Sequence, residues 1–310
     1  MSISAYLYVN RGEDYNFPYL QCINSVMWCD EIIVGTDSRF EDLTISKLME
    51  FAKKQTKIKV VVEEFDFNNN NPQGKIKQLL REQCSGDWCL EMDADEVFDI
   101  SKTQDIIQFC DEAQHRIYAV DLKAYNFFNG DWINTTMPGD RTMLTRNIKG
   151  LVHYIDDKTP NNSGRLGNNL IDLKGIKVNA GYRHKENMIF HYGWYSLSRK
   201  WEMKQTLHYY EGALRGLYDN LDEYTTNLDD ENVSFWGLPT VNREEFYEHS
   251  ILSEMEKANL KRFSGRHPDS MSEWMKDQQV VPWGGIGRSL KNMGSSLRGF
   301  LGSVFRNDRQ

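Results

Sequence analysis

Two carboxylates one residue apart, Asp93 and Asp95 in Leu90-Glu91-Met92-Asp93-Ala94-Asp95-Glu96, are the strongest chemical signal in the sequence. They follow an apolar run, residues 88–92, that reads as a buried strand, so both emerge where a strand ends. From there they can reach one divalent cation. Oxygen donors suit Mg2+ or Mn2+, and such ions are commonly shared with substrate phosphates. An ion so placed would screen the charge that builds on a departing diphosphate. The competing reading is an acidic surface loop, since Asp-x-Asp arises often by chance. Position favours the site, because the motif closes the fourth strand of a strand–helix series.

Cations that could face an anionic ligand lie nearby in sequence. Lys75, Lys77 and Arg81 sit on one helix before the fourth strand, and Arg141 and Arg146 lie further on. One or two are expected to reach phosphate oxygens, which a guanidinium fits well, with the rest on solvated faces. His191, in Phe190-His191-Tyr192-Gly193-Trp194, falls near the end of an apolar strand. On its own residues it reads as a core histidine with both nitrogens satisfied.

The elements that must position these groups follow from periodicity. Residues 3–9, 30–34, 57–62 and 88–92 read as strands, and residues 17–28, 45–54 and 74–84 as helices between them. Such alternation with short links implies a parallel sheet with helices on both faces. Ligands bind at the carboxyl ends of the strands in such sheets, where Asp37, Asp93 and Asp95 fall. The second half is less regular: a helix over 101–113 capped by Ser101, a long strand over 116–128, loops over a mixed sheet in 139–179, a strand over 188–192 and a helical pattern over 197–217. The boundaries expected are a catalytic domain over 1–218, with halves 1–98 and 99–218, a helical extension over 219–283 and a tail over 284–310.

In the tail, Ile286, Leu290, Met293, Leu297, Phe300, Leu301 and Val304 recur every three or four positions, with Arg288, Lys291, Arg298 and Arg306 opposite. Residues 286–306 therefore resemble an interfacial helix for an anionic membrane surface, although its glycines weaken it as a free helix. The alternative is packing against the protein itself.

Composition narrows the class. Of 310 residues, 40% are hydrophobic and 26% charged, as in ordinary globular proteins. A net charge of -8 argues against a nucleic-acid partner, which would favour a basic excess. The five cysteines form no C-x-x-C pair, and four of them lie in apolar surroundings and read as core thiols, in a reducing compartment. With no signal-like start and no apolar run of membrane length, the expected location is cytoplasmic, or peripheral on the cytosolic face of a membrane.

Residues 3–9, then Trp28-Cys29-Asp30-Glu31-Ile32-Ile33-Val34, then Gly86-Asp87-Trp88 leading into Asp93-Ala94-Asp95-Glu96, resemble family 2 glycosyltransferases. The resemblance covers residues 3–98 and, more loosely, 116–215. It implies the GT-A fold, a Rossmann-like mixed α/β sheet, here with a helical C-terminal extension. It also implies transfer of a sugar from a UDP- or GDP-type nucleotide donor to an acceptor hydroxyl on a carbohydrate, lipid-linked or protein substrate, with inversion. Asp37 would then contact the nucleoside, Asp93 the ribose or the metal's water shell, and Asp95 a Mn2+ or Mg2+ ion with His191 as a further ligand. Lys75, Arg81 and Arg141 are the expected cationic contacts to the donor. The catalytic base is expected among Asp140, Asp156 and Asp157, because Tyr154 stands where the family carries Glu. Asn10-Arg11-Gly12-Glu13 and residues 35–42 also depart from the family's usual Lys-Asn-Glu and Gly-Ser-Thr-Asp-Gly.

Three other readings share the acidic motif. A haloacid-dehalogenase-type phosphatase would place it after the first strand and follow it with Gly-Thr, and a sugar nucleotidyltransferase would show a Gly-rich loop after strand one. A non-catalytic binding module would tolerate loss of the metal ligands.

Overall fold

Strand β1 (Ile3–Tyr8) is buried along nearly its whole length, as a strand covered on both faces must be. In the computed structural model, which describes residues 1–39, 42–64, 72–113, 117–135, 140–148, 151, 170–171, 177–178, 182–204 and 260–280, it lies inside a mixed sheet. Strands β2 (Glu31–Asp37) and β4 (Trp88–Asp93) flank it in parallel, and β3 (Ile58–Glu63) extends the sheet beyond β2. Helices α1 (Tyr19–Ser25), α2 (Thr44–Lys53) and α3 (Pro72–Glu82) make the crossovers.

The two faces of this sheet are read off β1 with a period of two. Ala5 and Leu7 face one cluster with Ile32, Val34, Leu90 and Met92, closed by Cys22 and Ile23 of α1, Leu48 of α2 and Ile106. Tyr6 faces the other, with Ile33 and Cys89, closed by Ile76 and Leu80 of α3. Each fully buried Leu or Ile stabilises the fold by about 1.5–3 kcal/mol. Gly35 lets α3 seat, because a Cβ there would lie 2.7 Å from Leu80 Cδ1. All five cysteines are buried free thiols, one more than the four expected in the core.

Directly after the acidic motif the chain enters β5 (Glu96–Phe98) and a 3-10 turn, Ile100–Lys102. The cap here is Asp99, whose carboxylate accepts from Ser101 N, and not Ser101 itself. Helix α4 (Thr103–Glu112) then returns the chain to β6 (Ala119–Phe128). Asn129 and Gly130, both at positive φ, turn it into β7 (Trp132–Asn134). Strand β8 (Asp140–Arg146) lies between β4 and β6, antiparallel to both. Strands β9 (Leu170–Ile171) and β10 (Lys177–Val178) form a separate two-stranded pair.

Strand β11 (Tyr182–Trp194) is much longer than the 188–192 expected. It pairs in parallel with β6 and antiparallel with β5, and leads into α5 (Leu197–Lys204). Residues 260–280 fold onto the same sheet. Strand β12 (Leu260–Arg262) pairs with β7, and helix α6 (Ser272–Lys276) brings Trp274 into a third cluster with Val97, Phe127, Phe190, Tyr192 and Tyr195. Among the described residues no helix is long and apolar enough to cross a membrane. Residues 205–259 and the tail expected to meet a membrane, 284–310, lie outside the described residues.

Candidate active site

Tyr8, at the end of β1, is in register with Gly35 on one side and Asp93 on the other, so β2 and β4 deliver their terminal carboxylates to one edge. Asp37 is 1% exposed. Its carboxylate is held by Arg39, whose Nε donates to Oδ1 at 3.0 Å, Nη2 to Oδ2 at 2.8 Å and backbone N to Oδ1 at 2.9 Å. Burial, then the charge of Asp37, pushes the neighbouring Tyr8 phenol well above its ordinary range.

Asp93 is oriented from several directions. Lys77, buried on α3, donates to Asp93 Oδ1 and to Glu91 Oε1, both at 2.7 Å. Tyr6 donates to the second oxygen of Glu91 at 3.3 Å. The backbone N of Asp93 donates to Glu96 Oε2 at 2.9 Å, and Cys22 Sγ donates to its carbonyl at 3.3 Å. Lys77 was grouped by sequence with possible solvated cations, yet it is the one that reaches the motif.

Asp95 meets His191 because of strand register. His191 pairs with Glu96 across β5 and with Asn126 across β6, and Tyr192 N donates to the Asp95 carbonyl at 2.8 Å. The Asn126 amide oxygen lies 2.8 Å from His191 Nδ1, and as an acceptor it places a proton there. In the neutral imidazole Nε2 is therefore a lone pair, aimed across 3.7 Å at Asp95 Oδ1. Both side chains retain a little exposure, 14% for Asp95 and 15% for His191. Gly193 keeps the gap open: a Cβ there would stand 2.6 Å from His191 Nε2 and 2.9 Å from Asp95 Oδ2. Burial favours the neutral acid of Asp95; with His191 in its protonated form, the imidazolium charge and its hydrogen bond prevail and hold the Asp95 carboxyl well below its usual range.

The strand-end Asp-x-Asp lies within a match at the level of sequence: residues 20–167, which end before His191, fit the model for glycosyl transferase family 2. Over that stretch the chain carries a family 2 glycosyltransferase domain. The sheet order and the helices on both faces are its GT-A fold. Similar solved structures include S. aureus TarS 1-349, at 15% identity over 84% of this chain and 81% of that chain, with a TM-score of 0.39. The same protein in complex with UDP is 16% identical over 83% and 81%, with a TM-score of 0.43. Glucosyl-3-phosphoglycerate synthase from Mycobacterium tuberculosis, in complex with Mn2+, UDP and phosphoglyceric acid, is 18% identical over 40% and 43%, with a TM-score of 0.28. No curated protein matches the chain significantly.

Within the glycosyltransferase domain, the expected ligand set is only partly gathered. Asp95 and His191 form a close pair, whereas Asp93 Oδ1 is turned to Lys77, and among the described residues no three such donors cluster. Arg81, expected at the diphosphate, instead donates to the Leu151 carbonyl at 2.6 Å and the Arg146 carbonyl at 2.8 Å. Arg146 likewise binds the carbonyls of Ile117 and Ala113 and lies 4.5 Å over the Trp88 ring. Both arginines answer to orphan carbonyls where elements end, a demand invisible in sequence. Lys75 is partly exposed on α3. In the backbone of β8, Asp140 stands opposite Lys123 and Arg141 opposite Leu122. Asp156 and Asp157 lie outside the described residues.

Three contributors escaped the sequence reading. Asn126 interrupts the aromatic run of residues 125–128, and that polar break was a usable signal. Gly193 stands two residues after the histidine. Lys200 on α5 has its Nζ 5.1 Å over the Trp194 ring. Burial lowers the Lys200 ammonium to about 8, against the opposing charge of Asp95.

Proposed function

We propose that this glycosyltransferase moves a sugar from a nucleoside diphosphate donor to an acceptor hydroxyl, with inversion, at a metal site built on Asp95 and His191. The observation that carries the reading is two acceptors facing each other across 3.7 Å over a glycine, with the histidine tautomer set by Asn126. Opposed lone pairs beside an open gap fit a divalent cation, and a neutral imidazole beside a carboxylate suits Mn2+ or Mg2+, with Mn2+ the better match. Such an ion, when bound, supplies Lewis-acid screening of the diphosphate leaving group.

The chain's own residues supply the rest. Asp93, fixed by Lys77, is the proposed contact to the ribose or to the metal's water shell. Asp37, braced by Arg39, is the proposed nucleoside contact at the end of β2. Lys75 and Arg141 are proposed as further cations toward the donor. Asp140, Asp156 and Asp157 are the candidate bases. One of them takes the proton of the acceptor hydroxyl as its oxygen bonds to the anomeric carbon, while the bond from that carbon to the phosphate oxygen breaks on the opposite face. The placement of Asp140 at the start of β8, which runs antiparallel to β4 and so begins near the motif's end of the sheet, supports its candidacy. We further propose cytoplasmic action at an anionic membrane surface through residues 286–306.

A panel of UDP- and GDP-sugars, followed by release of the nucleoside diphosphate, tests the donor class. Release from at least one donor is expected with Mn2+ and is expected to stop on chelation. Release from no donor, or release indifferent to chelation, contradicts it. Sedimentation with anionic liposomes of full-length protein and a 1–283 truncation tests the tail, and equal binding by both removes it.

A further inference from the structure

Strand β3 ends the strand order of the sheet, and among the described residues it pairs with β2 alone. The ladder between them decides which main-chain groups that pairing uses. Ile32 N donates to the Lys57 carbonyl at 2.9 Å and Ser38 N to the Glu63 carbonyl at 3.0 Å, so the odd-numbered residues turn toward β2. Val60 and Val62 turn their N–H and C=O groups to the outer side instead, where such a row is a template for one more strand.

Side chains along β3 alternate with the same period. Val61 is buried in the cluster that α3 closes, and Lys59 and Glu63, on the same side of the strand, are exposed. Ile58 and Val60 pack on the other face, in the cluster that holds Leu48 and Phe51 of α2. Val62 shares that face and is 39% exposed, and Met49 of α2 is 45% exposed. Apolar surface therefore lies bare on the two elements that form this end of the sheet.

The order Ile58-Lys59-Val60-Val61-Val62-Glu63 selects the strand that fits the edge. Set antiparallel to a second copy of itself with Val61 opposite Val61, Val60 meets Val62 and the two exchange both hydrogen bonds, since both turn outward. Lys59 then meets Glu63 at a non-hydrogen-bonded position, where Cα atoms lie about 4.5 Å apart, and the two-fold axis repeats the pair. A slip by one residue sets outward groups against inward ones. A slip by two sets Lys59 opposite Val61, or Glu63 opposite Val61. A lysine blunts an edge against an arbitrary strand, but in this register its charge is met by a carboxylate.

We propose that β3 is the interface of a two-fold dimer of this chain, which joins two copies into one continuous sheet. Antiparallel pairing points the carboxyl ends of β1 to β4 in opposite directions in the two copies. Asp37, Asp93 and Asp95 of each copy are therefore left open at opposite edges of the joined sheet.

Sedimentation velocity of the full chain across a concentration series tests this, on wild type, Lys59→Glu, Glu63→Lys, an equimolar mixture of those two, and Val62→Pro. Wild type is expected to dimerise. Lys59→Glu sets Glu against Glu and Glu63→Lys sets Lys against Lys, so each alone is expected to associate at least about tenfold more weakly. In the mixture every Glu again faces a Lys, and association is expected to return. Val62→Pro removes an N–H that points away from β2, so it is expected to abolish the dimer while thermal melts of all variants stay close to wild type. Wild type that stays monomeric at about 100 μM overturns the proposal. So does a dimer that survives both charge reversals and the proline, which lies on another surface, and so does a mixture that fails to associate.

Discussion

Gly193 is the residue on which the proposed metal corner turns most sharply, because the space between His191 Nε2 and Asp95 is the space a side chain would take. Gly193→Ala is expected to weaken Mn2+-dependent nucleotide binding at least about tenfold while leaving metal-free binding and the melting temperature nearly unchanged, since the Cβ meets the ligands before it meets the core. Equal affinities for the variant and wild type would mean that the gap has no ligand. Lys77 gives the opposite pattern. It is buried between Glu91 and Asp93, so Lys77→Met leaves a buried carboxylate uncompensated. Urea denaturation is expected to report a loss of about 3–5 kcal/mol, partly relieved by the second change Glu91→Gln. A loss under 1 kcal/mol would contradict a paired, desolvated triad.

At the scale of elements, β11 shows what sequence can and cannot yield. Residues 188–192 are apolar and were legible as a strand, but residues 182–187, Tyr-Arg-His-Lys-Glu-Asn, carry polar side chains and give no buried-strand signal. Strands β1, β2 and β4 were legible for the opposite reason, since they are buried along most of their length, whereas β3, at the end of the strand order and buried only at Val61, was legible from its valine run alone. The strand-end carboxylates Asp37 and Asp93 were legible because they terminate those runs. The partners of His191 were not, because Asn126 and Glu96 reach it only through long-range register. Arg81 misled for a related reason, as residue type alone does not tell a phosphate contact from a clamp on backbone carbonyls.

The C-terminal segment is fastened by a titratable link. Tyr192 OH lies 2.9 Å from His267 Nδ1, and His267 Nε2 lies 3.2 Å from Asp131 Oδ1. With Nε2 protonated toward the carboxylate, Nδ1 accepts from the tyrosine. Burial lowers the His267 pKa, and Asp131 offsets this only in part. A lowered histidine pKa means that the unfolded chain takes the proton more readily. This link's stability is therefore complete above the unfolded value near 6.5 and is lost as pH falls below it. The melting temperature of wild type is expected to decline from about pH 6.5 toward pH 5, and His267→Phe to flatten that decline. A decline equally steep in the variant would assign it to other groups.

For the molecule as a whole, one sheet joins the two halves of the chemistry. Parallel strands β1 to β4 bring Asp37 and Asp93 to one edge, and β6 with β11 brings Asn126 and His191 to the next. Residues 260–280 close the same sheet from its far side, with Trp274 Nε1 donating to the Asn16 carbonyl at 3.0 Å. The central claim is that Asp95 and His191 hold a cation which the donor diphosphate shares. Calorimetric titration of UDP and GDP, with and without Mn2+, on wild type, Asp95→Asn and His191→Ala tests it most directly. Tight binding by wild type only when Mn2+ is present, and loss of that dependence in both variants, is the expected result. Nucleotide binding that is indifferent to Mn2+ and to both substitutions, or absent altogether, would contradict it.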